Sequence, residues 1–280
     1  MQVIQYKKEL AEIIGNFRTK GKSIGLVPTM GALHDGHLSL IRNCKKENGC
    51  TVSSIFVNPT QFNDKNDLKN YPRNLDKDIQ LLNNENCDLV FCPEVNEMYP
   101  EPDDRIFDFN GLDILMEGKH RPGHFNGVAQ IVTKLFDAVK PDSAYFGEKD
   151  FQQLAIIKHL VASLNLPIKI VPCPIIREDD GLAKSSRNLL LGINERKSAP
   201  LIFRTLKSAG ELHLTLPIKE IVNRVIAEIN SNPFLSVEYF EIVDDKKLLP
   251  IYSWNIENGI VGCIAVKAGK IRLIDNIRFK

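Results

Sequence analysis

The sequence predicts an α/β protein, a doubly wound parallel sheet followed by a smaller α+β domain, and three observations carry that prediction. Over the first 175 residues, short β-branched runs alternate with segments of helical period, the pattern of a parallel sheet covered on both faces. The stretch Val171-Pro172-Cys173-Pro174 stiffens the chain and interrupts that alternation. Beyond it, helices are followed by neighbouring strand-like runs, which predicts an antiparallel sheet. The domains are therefore set at 1–174 and 175–280.

In order, the predicted parallel strands are Ile24–Val27, Val52–Val57, Leu89–Phe91, Ala144–Phe146 and Ile168–Val171. Leu75, Ile79 and Leu82 mark a helix that frays at Asn83-Asn84-Glu85-Asn86. Val128, Ile131, Val132, Leu135, Phe136 and Val139 form one helical stripe, and Leu154, Ile157, Val161 and Leu164 another. Both stripes are core. The polar run Asn63-Asp64-Lys65-Asn66-Asp67 reads as a turn-forming flap. In the second domain a polar loop, 177–188, precedes helices over 200–212 and 218–229. Strands follow at 236–243, 260–266 and 270–273, the last two joined through Ala268-Gly269.

Composition narrows the function. The 280 residues include 36 Lys and Arg against 35 Asp and Glu, a net charge of +1, so nothing favours nucleic acid or an acidic membrane surface as partner. A small-molecule partner is expected. No apolar run reaches the roughly 20 residues of a membrane helix, and the N-terminal residues lack the regions of a signal peptide, so a cytoplasmic protein is expected. The six cysteines form no C-x-x-C pair and sit mostly in apolar runs, from which neither disulfides nor structural zinc are expected.

The chemistry concentrates in four motifs. Thr29-Met30-Gly31-Ala32-Leu33-His34-Asp35-Gly36-His37 directly follows the first strand, with a helix expected to begin near His37. Backbone N–H groups and the positive helix end would face an anion there, and two neutral imidazoles at i and i+3 would add ring donors. Gly147-Glu148-Lys149-Asp150 follows another strand and opens the helix carrying Gln152 and Gln153, at the sheet edge where parallel sheets bind ligands. Lys184-Ser185-Ser186-Arg187 offers hydroxyls and cations suited to a triphosphate, from the second domain. Arg121-Pro122-Gly123-His124-Phe125-Asn126-Gly127 precedes the long helix and could hold a carboxylate through Arg121 and His124. Taken singly, the motifs at 147–150 and 121–127 read as ordinary turns and the loop at 184–187 could equally be a solvated basic loop, whereas the histidine pair, placed after a strand and between glycines, itself indicates nucleotide chemistry, and the others line up with it.

A histidine pair in H-x-G-H spacing with a later Lys-Ser-Ser-Arg loop resembles the nucleotidylyltransferase superfamily, which includes class I aminoacyl-tRNA synthetases. The closer resemblance is to the pantothenate synthetase (pantoate–β-alanine ligase) family. It rests on the runs 27–37, 54–62, Tyr71-Pro72-Arg73, 121–125, 146–154, Ser185-Ser186-Arg187-Asn188 and 272–276, in order along nearly the whole chain. The resemblance implies a Rossmann-like nucleotide- and pantoate-binding domain and a C-terminal lid. It implies an ATP-dependent ligation of pantoate to β-alanine through a pantoyl adenylate, releasing AMP and pyrophosphate. The ATP site would comprise Met30, Gly31, Ala32, Leu33, His34, Asp35, Gly36 and His37, then Gly147, Glu148, Lys149 and Asp150, then Ile176, Lys184, Ser185, Ser186 and Arg187. Of these, His37, His34, Lys149 and Arg187 would be catalytic, His37 as proton donor to the departing pyrophosphate. Gln61 and Gln153 would bind pantoate, Gln61 lying also near β-alanine, with Asn58, Arg121 and His124 as weaker additions. Mg²⁺ would ride on the triphosphate, with Asp78 or Asp150 at most assisting and no metal ligand assigned. A homodimer is also implied. Asn126 and Leu190 depart from the family pattern, which predicts an altered rim of the nucleotide pocket. The alternative within the superfamily is a nucleotidylyltransferase acting on another small acid; a nucleotide sensor without turnover is the alternative from another class.

Overall fold

The computed structural model describes residues 1–280. Along the chain the helices are α1 (Lys7–Thr19), α2 (Asp35–Glu47), α3 (Lys65–Asn70), α4 (Leu75–Asn84), α5 (Val95–Met98), α6 (Met116–His120), α7 (His124–Val139), α8 (Phe151–Ser163), α9 (Ile193–Ser198), α10 (Leu201–Leu212) and α11 (Ile218–Asn230). The strands are β1 (Gln2–Ile4), β2 (Ile24–Thr29), β3 (Cys50–Ile55), β4 (Leu89–Phe91), β5 (Ser143–Gly147), β6 (Lys169–Cys173), β7 (Leu235–Asp244), β8 (Ile260–Ala268) and β9 (Ile271–Arg278). They fall into two compact units: Met1–Asn110, Arg121–Glu148 and Gln153–Pro174 form the first; Gly111–His120, Lys149–Gln152 and Ile175–Lys280 form the second.

In the first unit six strands run in the order β1-β4-β3-β2-β5-β6, every pairing parallel. Such a sheet is covered on both faces, and β2, β3 and β5 are accordingly buried along nearly their whole length, β3 with Thr51, Ser53 and Ser54 among its buried residues. One core cluster joins Val27, Leu40, Ile41, Cys44, Leu82, Val90 and Tyr145. The Tyr145 hydroxyl remains satisfied inside it, donating to Glu47 (2.9 Å) and accepting from Asn48 (2.8 Å). The predicted stripe on α7 is buried throughout. All six cysteines are buried free thiols, and burial pushes those of Cys44, Cys50, Cys87 and Cys92 up to about 12.

The α/β class stands, with local differences. β1 spans three residues, too few to show a period. The expected flap at 63–67 is instead the entry to α3, because the Asp64 carboxylate caps that helix by accepting from Asn66 N (2.7 Å). Aspartate forms turns and caps helices through the same hydrogen bond, so composition alone does not separate the two.

The second unit is built on the antiparallel sheet β7-β8-β9. Ile202 and Leu206 of α10 and Ile221, Val225 and Ile229 of α11 pack with Phe240, Ile264 and Leu273. Two segments that precede Pro174 in the chain belong here. Gln152 donates to the carbonyls of Leu112 (2.7 Å) and Leu115 (2.9 Å) and accepts from Glu117 N (2.9 Å). Glu117 takes both ends of the Arg272 guanidinium (2.8 and 2.6 Å) and the Tyr239 hydroxyl (2.7 Å), while Arg272 also reaches Glu238 (2.8 Å). Burial works against the charge on Arg272, and its bonds to the two carboxylates outweigh burial, leaving its pKa above the usual range. Replacing Arg272 by Ala strands two carboxylates, so a loss of about 3 kcal/mol in chemical denaturation is expected.

Candidate active site

In the first unit the sheet order reverses between β2 and β5, the place where open parallel sheets bind ligands beyond the strand ends. The turn after β2 lies there. Gly31 (φ +81°) and Ala32 (φ +49°) both adopt left-handed backbone, which points successive amides inward. The buried Asp78 carboxylate from α4 accepts from Ala32 N (2.8 Å) and Leu33 N (2.7 Å). Burial raises the Asp78 pKa, and the two amide bonds oppose that shift. Both oxygens of Asp78, which the sequence placed at most as an assistant to Mg²⁺, hold this turn.

Helix α2 begins at Asp35, two residues earlier than expected, and His34 is its N-cap. The two histidines form a capping box. His34 Nδ1 accepts from Gly36 N (3.2 Å) and His37 Nδ1 accepts from His34 N (3.4 Å), with ring centroids 4.1 Å apart. An imidazole whose Nδ1 accepts carries its proton on Nε2 when neutral. The cap therefore fixes the tautomer of both rings as Nε2–H donors at the positive end of α2.

A second cluster in the same unit surrounds Gln61. Asn58, 1% exposed, donates to Gln61 Oε1 (3.2 Å) and to Gly127 O (3.0 Å), and its own oxygen accepts from the Tyr99 hydroxyl (2.8 Å). Gln61 Nε2 reaches Met30 Sδ (3.1 Å), tying this turn to the one after β2. The ring of His124 bonds Gln61 O through Nδ1 (2.9 Å) and Arg121 through Nε2 (3.1 Å). Because a carbonyl only accepts, Nδ1 carries the proton and Nε2 accepts from the guanidinium. His124 and Arg121, expected to touch a carboxylate, are thus engaged with the Gln61 backbone. Asn126 accepts from Phe107 N (3.0 Å) and donates to Arg105 O (3.0 Å). Gln153 lies half-buried in the first turn of α8.

In the second unit, Lys149 stands in the 3-10 turn Glu148–Asp150 that follows β5, its ammonium 3.9 Å from Asp150. Residues 176–184 fold back on themselves through Lys184 N to Ile176 O (2.9 Å) and Glu178 N to Leu182 O (2.8 Å). Lys184 pairs with Glu178 (3.0 Å). Ser185 caps the 3-10 turn Ser186–Leu190 by accepting from Arg187 N (3.3 Å); Ser186 is buried, and Leu190 ends that turn partly exposed. Asp78 and Asn276, whose amide donates to Lys149 O (3.1 Å), had no positioning role in the sequence reading. No local signal marks either, since each acts on a residue at least 45 positions away.

A parallel sheet with an H-x-G-H capped turn at its point of reversal defines an α/β enzyme of the nucleotide-using class. The chain belongs to the pantoate-beta-alanine ligase family, whose model matches residues 2–278. It is 53% identical to the pantothenate synthetase of Bacteroides thetaiotaomicron, over 100% of this chain and 99% of that protein. It is 52% identical to that of Porphyromonas gingivalis, over the full length of both. Its fold is similar to the crystal structure of pantothenate synthetase from Thermus thermophilus, with a TM-score of 0.93 and 40% identity, covering 100% of this chain and 99% of that one. The pantoate-beta-alanine ligase of Francisella tularensis, solved in complex with beta-gamma ATP and beta-alanine, matches with a TM-score of 0.84 and 37% identity over 100% and 98% of the two chains. No helix is long and apolar enough to cross a membrane.

Proposed function

We propose that this chain condenses (R)-pantoate with β-alanine, using ATP, in two steps. A pantoate carboxylate oxygen attacks the α-phosphorus and pyrophosphate leaves, forming a mixed anhydride. The β-alanine amine then attacks the activated carbonyl and AMP departs. A free carboxylate is a poor acyl donor because its leaving group is poor, so the first step is needed. The observation that supports the reading is the histidine capping box, which leaves two Nε2–H donors at the positive end of α2, suited to a phosphate on which charge builds.

The roles follow from chemistry. His34 and His37 donate Nε2–H hydrogen bonds to phosphate oxygens, with the His37 donor directed to the departing pyrophosphate as it gathers charge. Lys149 and Arg187 supply positive charge, Lys184 acts with its carboxylate partner Glu178, and Ser185 and Ser186 add hydroxyls. The backbone of Met30 to Gly36, with Gly147, Glu148, Asp150 and Ile176, completes the ATP site. Gln61 and Gln153 bind pantoate through amides that both donate and accept, with Asn58, Arg121 and His124 fixing Gln61. Magnesium enters as MgATP, held by phosphate and water. Residues 1–174 bind nucleotide and pantoate, and residues 175–280 act as the lid. Family membership supports a cytoplasmic homodimer; light scattering at twice the chain mass checks the dimer.

Incubation with ATP and pantoate tests the function. AMP should accumulate only when β-alanine is added, one per pantothenate formed; AMP turnover indifferent to β-alanine would overturn the ligase reading. A second expectation concerns Gly127, where an added Cβ would lie 2.4 Å from Thr60 O. Gly127→Ala must shift the turn bearing Gln61, and a displacement of about 1 Å at a positioning group costs rate steeply. Steady-state kinetics should show KM for pantoate raised about tenfold, with KM for ATP within about twofold of the parent.

A further inference from the structure

Two adjacent residues of β9 reach both cation-bearing segments of the second unit. Successive side chains of a strand project to opposite faces, so Asp275 and Asn276 can serve different partners from neighbouring positions. Asn276 is buried, and its amide donates to Lys149 O (3.1 Å). Asp275, 4% exposed, receives both arms of Arg177 (2.6 and 3.0 Å) and also accepts from Asn276 N (2.8 Å). Arg177 in turn donates to Gly181 O (3.1 Å) and stacks 3.6 Å over Phe203. It therefore anchors the folded-back segment whose far arm delivers Lys184 to Arg187. A bidentate arginine held on three sides has little freedom to drift.

We propose that Asp275 and Asn276 are positioning residues for the ligation, with Asn276 setting the turn that presents Lys149 and Asp275, through Arg177, setting the segment that presents Lys184 to Arg187. This rests on the reading of Lys149 and Arg187 as phosphate-binding groups. One short stretch of β9 thereby fixes the spacing of two cationic segments distant in sequence.

A double-mutant cycle on the full-length enzyme separates positioning from mere stability. Asn276→Asp keeps the side-chain shape and removes the donor to Lys149 O. It should lower kcat/KM for ATP about tenfold and leave KM for β-alanine within about twofold. Lys149→Ala should lower kcat/KM for ATP about fiftyfold, and adding Asn276→Asp to it should cost nothing further. If the second substitution lowers the rate again by its full factor, Asn276 does not act through Lys149 and the inference fails, while the role of Lys149 stands. If Lys149→Ala is itself fully active, the phosphate-binding reading fails first. Should Asn276→Asp not fold, Arg177→Lys, which keeps the charge and gives up the fork, is combined with Arg187→Ala. The same non-additivity is expected, and additive losses would overturn the proposal.

Discussion

Replacing His37 by Ala is expected to slow turnover by about a hundredfold to a thousandfold, the largest kinetic effect of any single substitution in this chain. Two losses combine in that change. On the proposed reading the Nε2–H donor to the phosphate disappears, and His34 N loses the Nδ1 acceptor that now stands 3.4 Å away. The second loss is a capping effect of about 1 kcal/mol and should appear as a modest fall in thermal stability. His37→Gln separates them, because glutamine three residues after the cap can restore the reciprocal bond to the cap amide. It should recover stability and leave most of the rate deficit. If His37→Gln instead recovers full activity, the ring serves the helix cap and not the chemistry.

Asp78→Ala, in α4, is expected to destabilise the turn after β2 more than any other substitution, by about 3 kcal/mol in denaturant titration. Its carboxylate is the acceptor used by both Ala32 N and Leu33 N, and the site is closed to water. A buried amide deprived of its acceptor costs about 1–3 kcal/mol, and a domain has only about 5–15 kcal/mol in total. The left-handed pair Gly31 and Ala32 would then relax toward ordinary backbone. Because that pair aims the turn toward the cap of α2, KM for ATP should rise at least about tenfold in whatever fraction remains folded. Asp78→Asn keeps one acceptor oxygen and should lose roughly half as much stability. Activity and stability unchanged in Asp78→Ala would show that the turn holds its shape without the carboxylate.

The sheet and its covering helices were legible because burial leaves a period in the chain. The α7 stripe from Val128 to Val139 needed only helical spacing and is buried, and the helix expected over 218–229 buries Ile221, Val225 and Ile229 on one face. β9 was legible only in its first residues, since Asp275 and Asn276 break the apolar alternation; they are buried nonetheless because Arg177 and Lys149 O satisfy them. In the site, the H-x-G-H spacing marked the histidines. Their use as a cap was hidden, because histidine is an uncommon N-cap residue and the bond depends on which ring nitrogen carries the proton. The contribution of Asp78 was hidden for another reason. Its partners lie 45 and 46 residues away, and no local pattern records a contact made only by the fold.

The two-step reaction has a direct isotopic signature. Pantoate carrying ¹⁸O in both carboxylate positions is turned over with ATP and β-alanine, and the AMP is analysed by mass spectrometry. Formation of the mixed anhydride at this site predicts one ¹⁸O in the AMP phosphoryl group and the other in the new amide carbonyl; AMP free of label, formed together with pantothenate, would contradict it.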